Sequence, residues 1–205
     1  MFSRLYAIVD RACFSDSGAL IRHARALLDA GVTLMQHRDK ISSPQETLST
    51  ARELQRLAAG RARLILNDRA DLCLASGCDG VHLGQDDLSV EAARRVVGTH
   101  VWIGASTHAS AQVTEADRTS ADYIAIGPVY STLSKANPDP VIGLDGIRLA
   151  RQLTHKPLVA IGGVTRRNCR DVLAAGADSV AVISDLLQEP AKSAEEFLRI
   201  FGDLG

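Results

Sequence analysis

The chain has 205 residues, of which 46% are apolar and 23% charged, with a formal net charge of −1. This is enough for one domain with a full core. The balance excludes a broad basic field for nucleic acid and an acidic tail, so any anion must be recognised locally. No apolar run is long enough to span a bilayer. The first residues lead into a strand-like segment without the h-region and cleavage site of a signal peptide, so a cytoplasmic protein is expected.

The elements alternate along the chain. LYAIVD (5–10) reads as a strand. SGALIRHARALLDAG (17–31) places apolar residues at helical spacing and stops at Gly. TLMQHR (33–38) is the next strand, followed by a helix over 43–60. RLILND (63–68) precedes ADLCLASG (70–77), a very short helix, and GVHLGQ (80–85) precedes a helix over 87–98. VWIGAS (101–106) and YIAIGP (123–128) are strand-like, and DGIRLARQLT (145–154) has helical spacing without a final Gly. LVAIGG (158–163), a helix over 165–176 and SVAVIS (179–184) complete the series. Several strands are near-continuous runs of Val, Ile and Leu, the pattern of parallel strands covered on both faces.

A weak repeat runs through LLDAGVTLMQ, LASGCDGVHLG, RTSADYIAIG and LAAGADSVAVIS, anchored at Gly31, Gly77, Ser120 and Gly176. Gly at such a place suits the left-handed residue that ends a helix. Eight strands alternating with helices imply βαβ units. The α/β fold expected is a single (β/α)8 TIM barrel spanning 1–205 with no linker. A doubly wound open sheet is the alternative, but it usually has fewer strands, and no Gly-x-Gly-x-x-Gly follows the first. Cys13, Cys73, Cys78 and Cys169 contain no CxxC pair and read as buried or incidental thiols.

In such a barrel the site gathers at the C-terminal strand ends. Asp68 and Asp87 follow adjacent strands, and Mg²⁺ commonly takes one or two carboxylates beside water and substrate phosphate. Turn and cap chemistry explains these acids equally well on spacing alone, with Asp87 a candidate N-cap, and spacing does not separate Asp86 from Asp87. Gln36, Arg38 and Lys40 alternate and so share one side of their strand; Arg and Lys beside two Asp favour a diphosphate bridged by metal. Lys135, after the sixth strand, is a candidate to join them. Gly162-Gly163 after the seventh strand and Ser184 after the eighth fall where these barrels often hold phosphate. Thr132 and Ser134 are loop hydroxyls that suit a phosphate or ordinary loop polarity. His82 reads as a core histidine, His108 as a loop histidine and Trp102 as core.

The segments QHRDK, LILNDRADL, GVHLGQDD, IGASTH, GPVYSTLSK, VAIGGVTRRN and GADSVAVIS, in this order and over nearly the whole chain, resemble the thiamine-phosphate synthase family. The resemblance implies coupling of a hydroxymethylpyrimidine diphosphate to a thiazole phosphate, with release of diphosphate. By motif, it implies that Gln36, His37, Arg38, Asp39, Lys40, Asn67, Ser106 and Lys135 belong to the pyrimidine-diphosphate site. Thr132, Leu133, Ser134, Gly163, Ile183 and Ser184 would hold the thiazole phosphate, and Asp68 and Asp87 would bind Mg²⁺. Asp71 and Asp86 fall outside these sets. Ser131, Ser134 and His37 depart from the usual motif residues, which bears on the lid and the thiazole contacts. The implied partners are phosphorylated small molecules, with neither nucleic acid nor membrane; homo-oligomerisation stays open. A thiazole tautomerase would not require the set Asn67, Asp68, Asp87 and Lys135, and a non-catalytic homologue would have lost a metal Asp or the Gln-x-Arg-x-Lys cations.

Overall fold

The computed structural model describes residues 2–132 and 139–202. Among them, strands and helices alternate as β1 (Leu5–Asp10), α1 (Ser17–Asp29), β2 (Leu34–Arg38), α2 (Pro44–Ala58), β3 (Arg63–Asn67), α3 (Ala70–Ser76), β4 (Gly80–Leu83) and α4 (Val90–Val97). The second half continues with β5 (Trp102–Thr107), α5 (Ser110–Asp117), β6 (Tyr123–Ile126), α6 (Gly143–Leu153), β7 (Leu158–Ile161), α7 (Cys169–Ala174), β8 (Ser179–Val182) and α8 (Pro190–Gly202). Consecutive strands pair in parallel, and β8 pairs with β1, Ala181 opposite Tyr6. The sheet is therefore closed and has no edge, which rules out the open doubly wound alternative.

Two helices, α5 and α8, are not among the elements read from the sequence. In α5 only Val113 and Ala116 are buried, so its apolar stripe is thin. In α8 the stripe is present as Ala194, Phe197 and Phe201, and Pro190 opens it at a position where a missing N–H costs nothing. Ser89, rather than Asp87, caps α4, accepting from the Ala92 amide at 3.3 Å. Cys73, Cys78 and Cys169 are buried, and Cys13 is exposed.

Strand parity divides the core in two. Leu5, Ala7 and Val9 of β1 point outward, into the layer between barrel and helices. Tyr6 and Ile8 point inward, where they pack with Leu34, Ile65, Tyr123, Ala125, Val159 and Ala181. This two-sided burial is why the strands show little polar alternation.

The weak repeat has a physical basis at the N-terminal rim. Asp79, Asp122 and Asp178 precede β4, β6 and β8, and their carboxylates accept from amides in the first two residues of the neighbouring strands. The bonds are Leu64 N–H to Asp79 at 2.8 Å, Ile103 N–H to Asp122 at 2.7 Å and Leu158 N–H to Asp178 at 2.8 Å. Each satisfies a strand amide and holds register at the rim away from the site. Gly31, Gly77 and Gly176 are at positive φ as expected, whereas Ser120 is not.

Candidate active site

A cavity of about 540 Å³ opens at the C-terminal rim, lined from β1 around to β8. Inward parity puts Gln36, Arg38 and Lys40 together on its wall, beside Asn67, Asp68, Asp86, Asp87 and Ser106. Asp68 takes a left-handed backbone at φ 63, a conformation that Asp tolerates better than most residues, with its N–H donating to His82 O at 2.8 Å. The half-buried Asp87 accepts from the Gly84 amide at 2.7 Å, which folds the loop after β4 back over the strand end. Burial, and after it the Asp68 carboxyl within hydrogen-bonding reach, push the Asp87 carboxyl above the usual carboxylate range. Two carboxyl groups thus meet at the rim, and Lys40 Nζ sits 2.7 Å from Asp68.

The cations are held in place by acids. Arg38 pairs with Asp10, the buried last residue of β1, whose other oxygen accepts from the Ala12 amide at 3.1 Å. No sequence motif singled out Asp10, although it ends the first apolar run as Asp68 ends the third.

The far wall carries the loops after β7 and β8. Gly162 and Gly163 lie at φ 100 and 64. A Cβ at Gly163 would stand 2.6 Å from Ser131 O, so glycine is required both for the turn and for the close approach of two loops. Arg166 joins the β7 and β8 loops. Its backbone amide donates to Asp185 at 2.8 Å, and its guanidinium to Asp185 at 3.1 and 3.0 Å and also to Glu196. Ser184 and Ile183 line the cavity just before this tie. Asn168 bonds Gly163 O at 3.0 Å and the Thr165 amide at 2.7 Å, fixing the turn from inside.

The floor is polar, although aliphatic side chains surround it. Gln36 Nε2 donates to Tyr6 OH at 2.8 Å, and Tyr6 OH meets Tyr123 OH at 2.9 Å. His82 Nδ1 lies 3.0 Å from Tyr123 OH, and its Nε2 2.9 Å from Ser106 Oγ. Burial pushes the His82 pKa down to about 4, so the ring is neutral. His82 is thus a satisfied core histidine that also lines the cavity. His108 hydrogen-bonds Gly127 O at 2.6 Å from the rim and lies 3.5 Å from Asp139. Trp102 stacks on Phe2 at 5.5 Å at the opposite end of the barrel.

Several expected residues lie elsewhere. His37 has outward parity and is buried under the helices, away from the cavity. Asp39 also points away. Despite partial burial, the Ser42 and Ile41 amides hold its carboxyl below the usual range, and it stabilises the loop into α2. Asp71 pairs with Arg69 at 2.5 Å on the surface. Thr132 lines the cavity, and Asp86 lines it too, from an exposed position. Leu133, Ser134 and Lys135 lie outside the described residues.

A rim of this kind places the chain among (β/α)8-barrel enzymes that act on phosphorylated small molecules. A family profile described as thiamine monophosphate synthase matches residues 5–186. The chain is 56% identical over 200 residues to the thiamine-phosphate synthase of Koribacter versatilis (strain Ellin345), covering 96% of this chain and 95% of that protein. It is 41% identical over 187 residues to the thiamine-phosphate synthase of Chloroflexus aurantiacus, covering 88% and 83%. Among solved structures, the thiamine phosphate pyrophosphorylase from Pyrococcus furiosus superposes with a TM-score of 0.88 at 33% identity, over 98% of this chain and 96% of that one. The chain belongs to the thiamine monophosphate synthase family, and its activity is the transferase step of thiamine biosynthesis that the family carries out. Among the described residues no helix is long and apolar enough to cross a membrane.

Proposed function

We propose that the rim cavity couples 4-amino-2-methyl-5-(diphosphomethyl)pyrimidine to 4-methyl-5-(2-phosphoethyl)thiazole or its carboxylate, with Mg²⁺ as cofactor. The observation that carries this reading is the meeting of Asp68 and Asp87 beside Lys40 and Arg38. Their donor set fits Mg²⁺: hard carboxylate oxygens, one of them raised in pKa by burial and then by the neighbouring Asp68, a charge that a cation would relieve. Among the described residues no three His, Cys, Asp or Glu side chains gather as a complete metal site. That suits an ion whose remaining ligands are water and substrate diphosphate. When bound, Mg²⁺ supplies positive charge to the diphosphate oxygens.

Arg38, Lys40 and Asn67 bind the diphosphate, with Lys135 in the same role, while Gln36 and Ser106 hold the pyrimidine. Thr132, Leu133, Ser134, Gly163, Ile183 and Ser184 hold the thiazole phosphate. His37 and Asp39 are left out because their side chains turn away from the cavity. The C–O bond between methylene and diphosphate breaks, its electron pair leaves with diphosphate, and the aminopyrimidine ring delocalises the positive charge at the methylene. The thiazole nitrogen then donates its pair to form the new C–N bond. No protein nucleophile is required; the protein supplies orientation and charge. The enzyme acts as one barrel domain in the cytoplasm, without nucleic-acid or membrane partners.

The test is coupling by the purified protein with both substrates and Mg²⁺. Asp68→Ala is expected to fold and to lose coupling. Wild-type turnover by this variant at limiting Mg²⁺ would refute the metal assignment.

A further inference from the structure

The buried side-chain chain Gln36–Tyr6–Tyr123–His82–Ser106 spans the barrel from β2 to β5. Its two ends are the residues assigned to the pyrimidine, so any role for its interior rests on that proposed function. The three middle members, drawn from β1, β6 and β4, take no part in the coupling chemistry itself. We propose that Tyr6, Tyr123 and His82 are positioning residues that set which end of the pyrimidine site accepts a hydrogen bond and which end donates one.

The polarity comes from a count of protons. Each tyrosine hydroxyl has one proton to give, and an imidazole that accepts at one ring nitrogen gives its proton from the other. Gln36 Nε2 donates to Tyr6 OH. Tyr6 must then pass its own proton on to Tyr123, and Tyr123 must donate to His82 Nδ1. The ring proton therefore sits on Nε2 and points at Ser106 Oγ. Ser106 accepts inside the protein, and its hydroxyl proton is left to point into the cavity. At the other end Gln36, with its amide nitrogen engaged, presents Oε1. The wall thus offers an acceptor at Gln36 and a donor at Ser106, and neither end can reverse unless every link reverses with it. An unpaired buried polar group is costly, so a partial reversal is disfavoured.

The ligand that matches this polarity carries a donor amino group on one edge and an acceptor ring nitrogen on the other. A 4-aminopyrimidine does so. The 4-oxo analogue offers a carbonyl acceptor where Gln36 also presents an acceptor. The relay is packed as well as bonded. The Tyr6 and Tyr123 rings meet edge-on at 6.0 Å, and His82 stacks on Tyr123 at 5.5 Å. Gly104 beside them leaves no room for a methyl group.

The experiment compares wild type with Tyr6→Phe and Tyr123→Phe. Steady-state kinetics would use the 4-amino pyrimidine diphosphate and its 4-oxo analogue, each with thiazole phosphate. Tyr6→Phe releases the Gln36 amide to rotate. The preference for amino over oxo substrate should then fall by roughly tenfold or more, the size of one buried hydrogen-bond mismatch. KM for the amino substrate should rise while KM for thiazole phosphate stays unchanged. Tyr123→Phe cuts the relay in the middle and should lower the preference in the same direction. An unchanged preference in either folded variant overturns the proposal, as does a parallel loss for both substrates that tracks a fall in melting temperature. A readout on the wild type stands apart from any variant: the ¹⁵N shifts of His82 should report a neutral Nε2–H ring. An Nδ1–H tautomer or an imidazolium overturns the relay. A wild type that makes no thiamine phosphate would instead defeat the functional reading beneath it.

Discussion

Replacing Asp87 by Asn separates the role of the acid pair in holding a ligand from its role in holding the fold. The folded protein raises the Asp87 carboxyl above its usual range, by burial and by the adjacent Asp68. A carboxyl raised on folding destabilises the folded state once the pH exceeds its unfolded value, so at pH 7 the pair is a net liability. Asn removes the repulsion and keeps an oxygen to accept from the Gly84 amide, the contact that shapes the loop. Coulomb's law puts two unit charges 4 Å apart at about 1 kcal/mol in water and about 4 kcal/mol at an effective dielectric constant of 20. Asp87 is half-buried and Lys40 screens Asp68, so about 1 kcal/mol is the appropriate size. For a chain of this length that is a rise of roughly 2–4 °C in melting temperature without ligand. Adding Mg²⁺ and diphosphate at a hundredfold above their joint dissociation constant should stabilise the wild type by about 2.7 kcal/mol. That corresponds to roughly 5–11 °C. Asp87→Asn should lose most of that response and nearly all coupling. Scanning calorimetry with EDTA, Mg²⁺ alone and Mg²⁺ with diphosphate measures each quantity. A variant that melts several degrees below wild type without ligand, or that keeps the full response, refutes the reasoning.

Gly104→Ala should destabilise the protein by about 1–3 kcal/mol, because the new Cβ would collide with the Tyr123 ring and His82 inside the packed barrel; chemical denaturation reports it. Asp185→Asn should cost about 1–2 kcal/mol by weakening its charge-assisted bonds to Arg166. It should also raise KM for thiazole phosphate more than KM for the pyrimidine, since the two loops it ties carry Gly163, Ile183 and Ser184, which are proposed to hold the thiazole phosphate. Acid sensitivity follows from His23 and His82, which burial pushes from the ordinary 6.5 down to about 4. The unfolded chain takes up these protons below about pH 6.5 while the folded chain does not until near pH 4. Stability should be level above that window and fall as pH drops through it, by at most about 1.4 kcal/mol per pH unit for each histidine. His23→Leu, which keeps an apolar partner for Phe14, should flatten the slope; an equally steep acid limb would contradict it.

Local pattern carried most of the fold into view. Apolar runs closing on glycine or polar residues marked the eight strands, and the stripes of α1, α2 and α6 marked their helices, because a strand or helix must display its buried face at a fixed spacing. The thin stripe of α5 did not rise above its surroundings. At the site, alternation alone aligned Gln36, Arg38 and Lys40. The same alternation excludes His37, which the motif had included; a motif records neighbours in sequence, and parity sends alternate neighbours to opposite faces of the strand.

The segment NDRADLCLASGCDGVHLGQDD contains both acids proposed to hold the metal. Its amino-acid order placed each acid after a strand-like run, and the strand count along the whole chain predicted that the two strands are adjacent in a barrel. It left turn chemistry and a shared site level, because a carboxylate at a strand end has the same local spacing in either case. Closure of the barrel decided the matter of proximity: Asp68 and Asp87 meet, Asp10 of β1 comes up under Arg38, and Arg166 reaches across to Asp185. The relay through Tyr6, Tyr123 and His82 was illegible for the same reason. Tyr6 and Tyr123 lie 117 positions apart in the chain and 2.9 Å apart at their hydroxyls, and only inward-facing parity around a closed sheet brings such residues into one file.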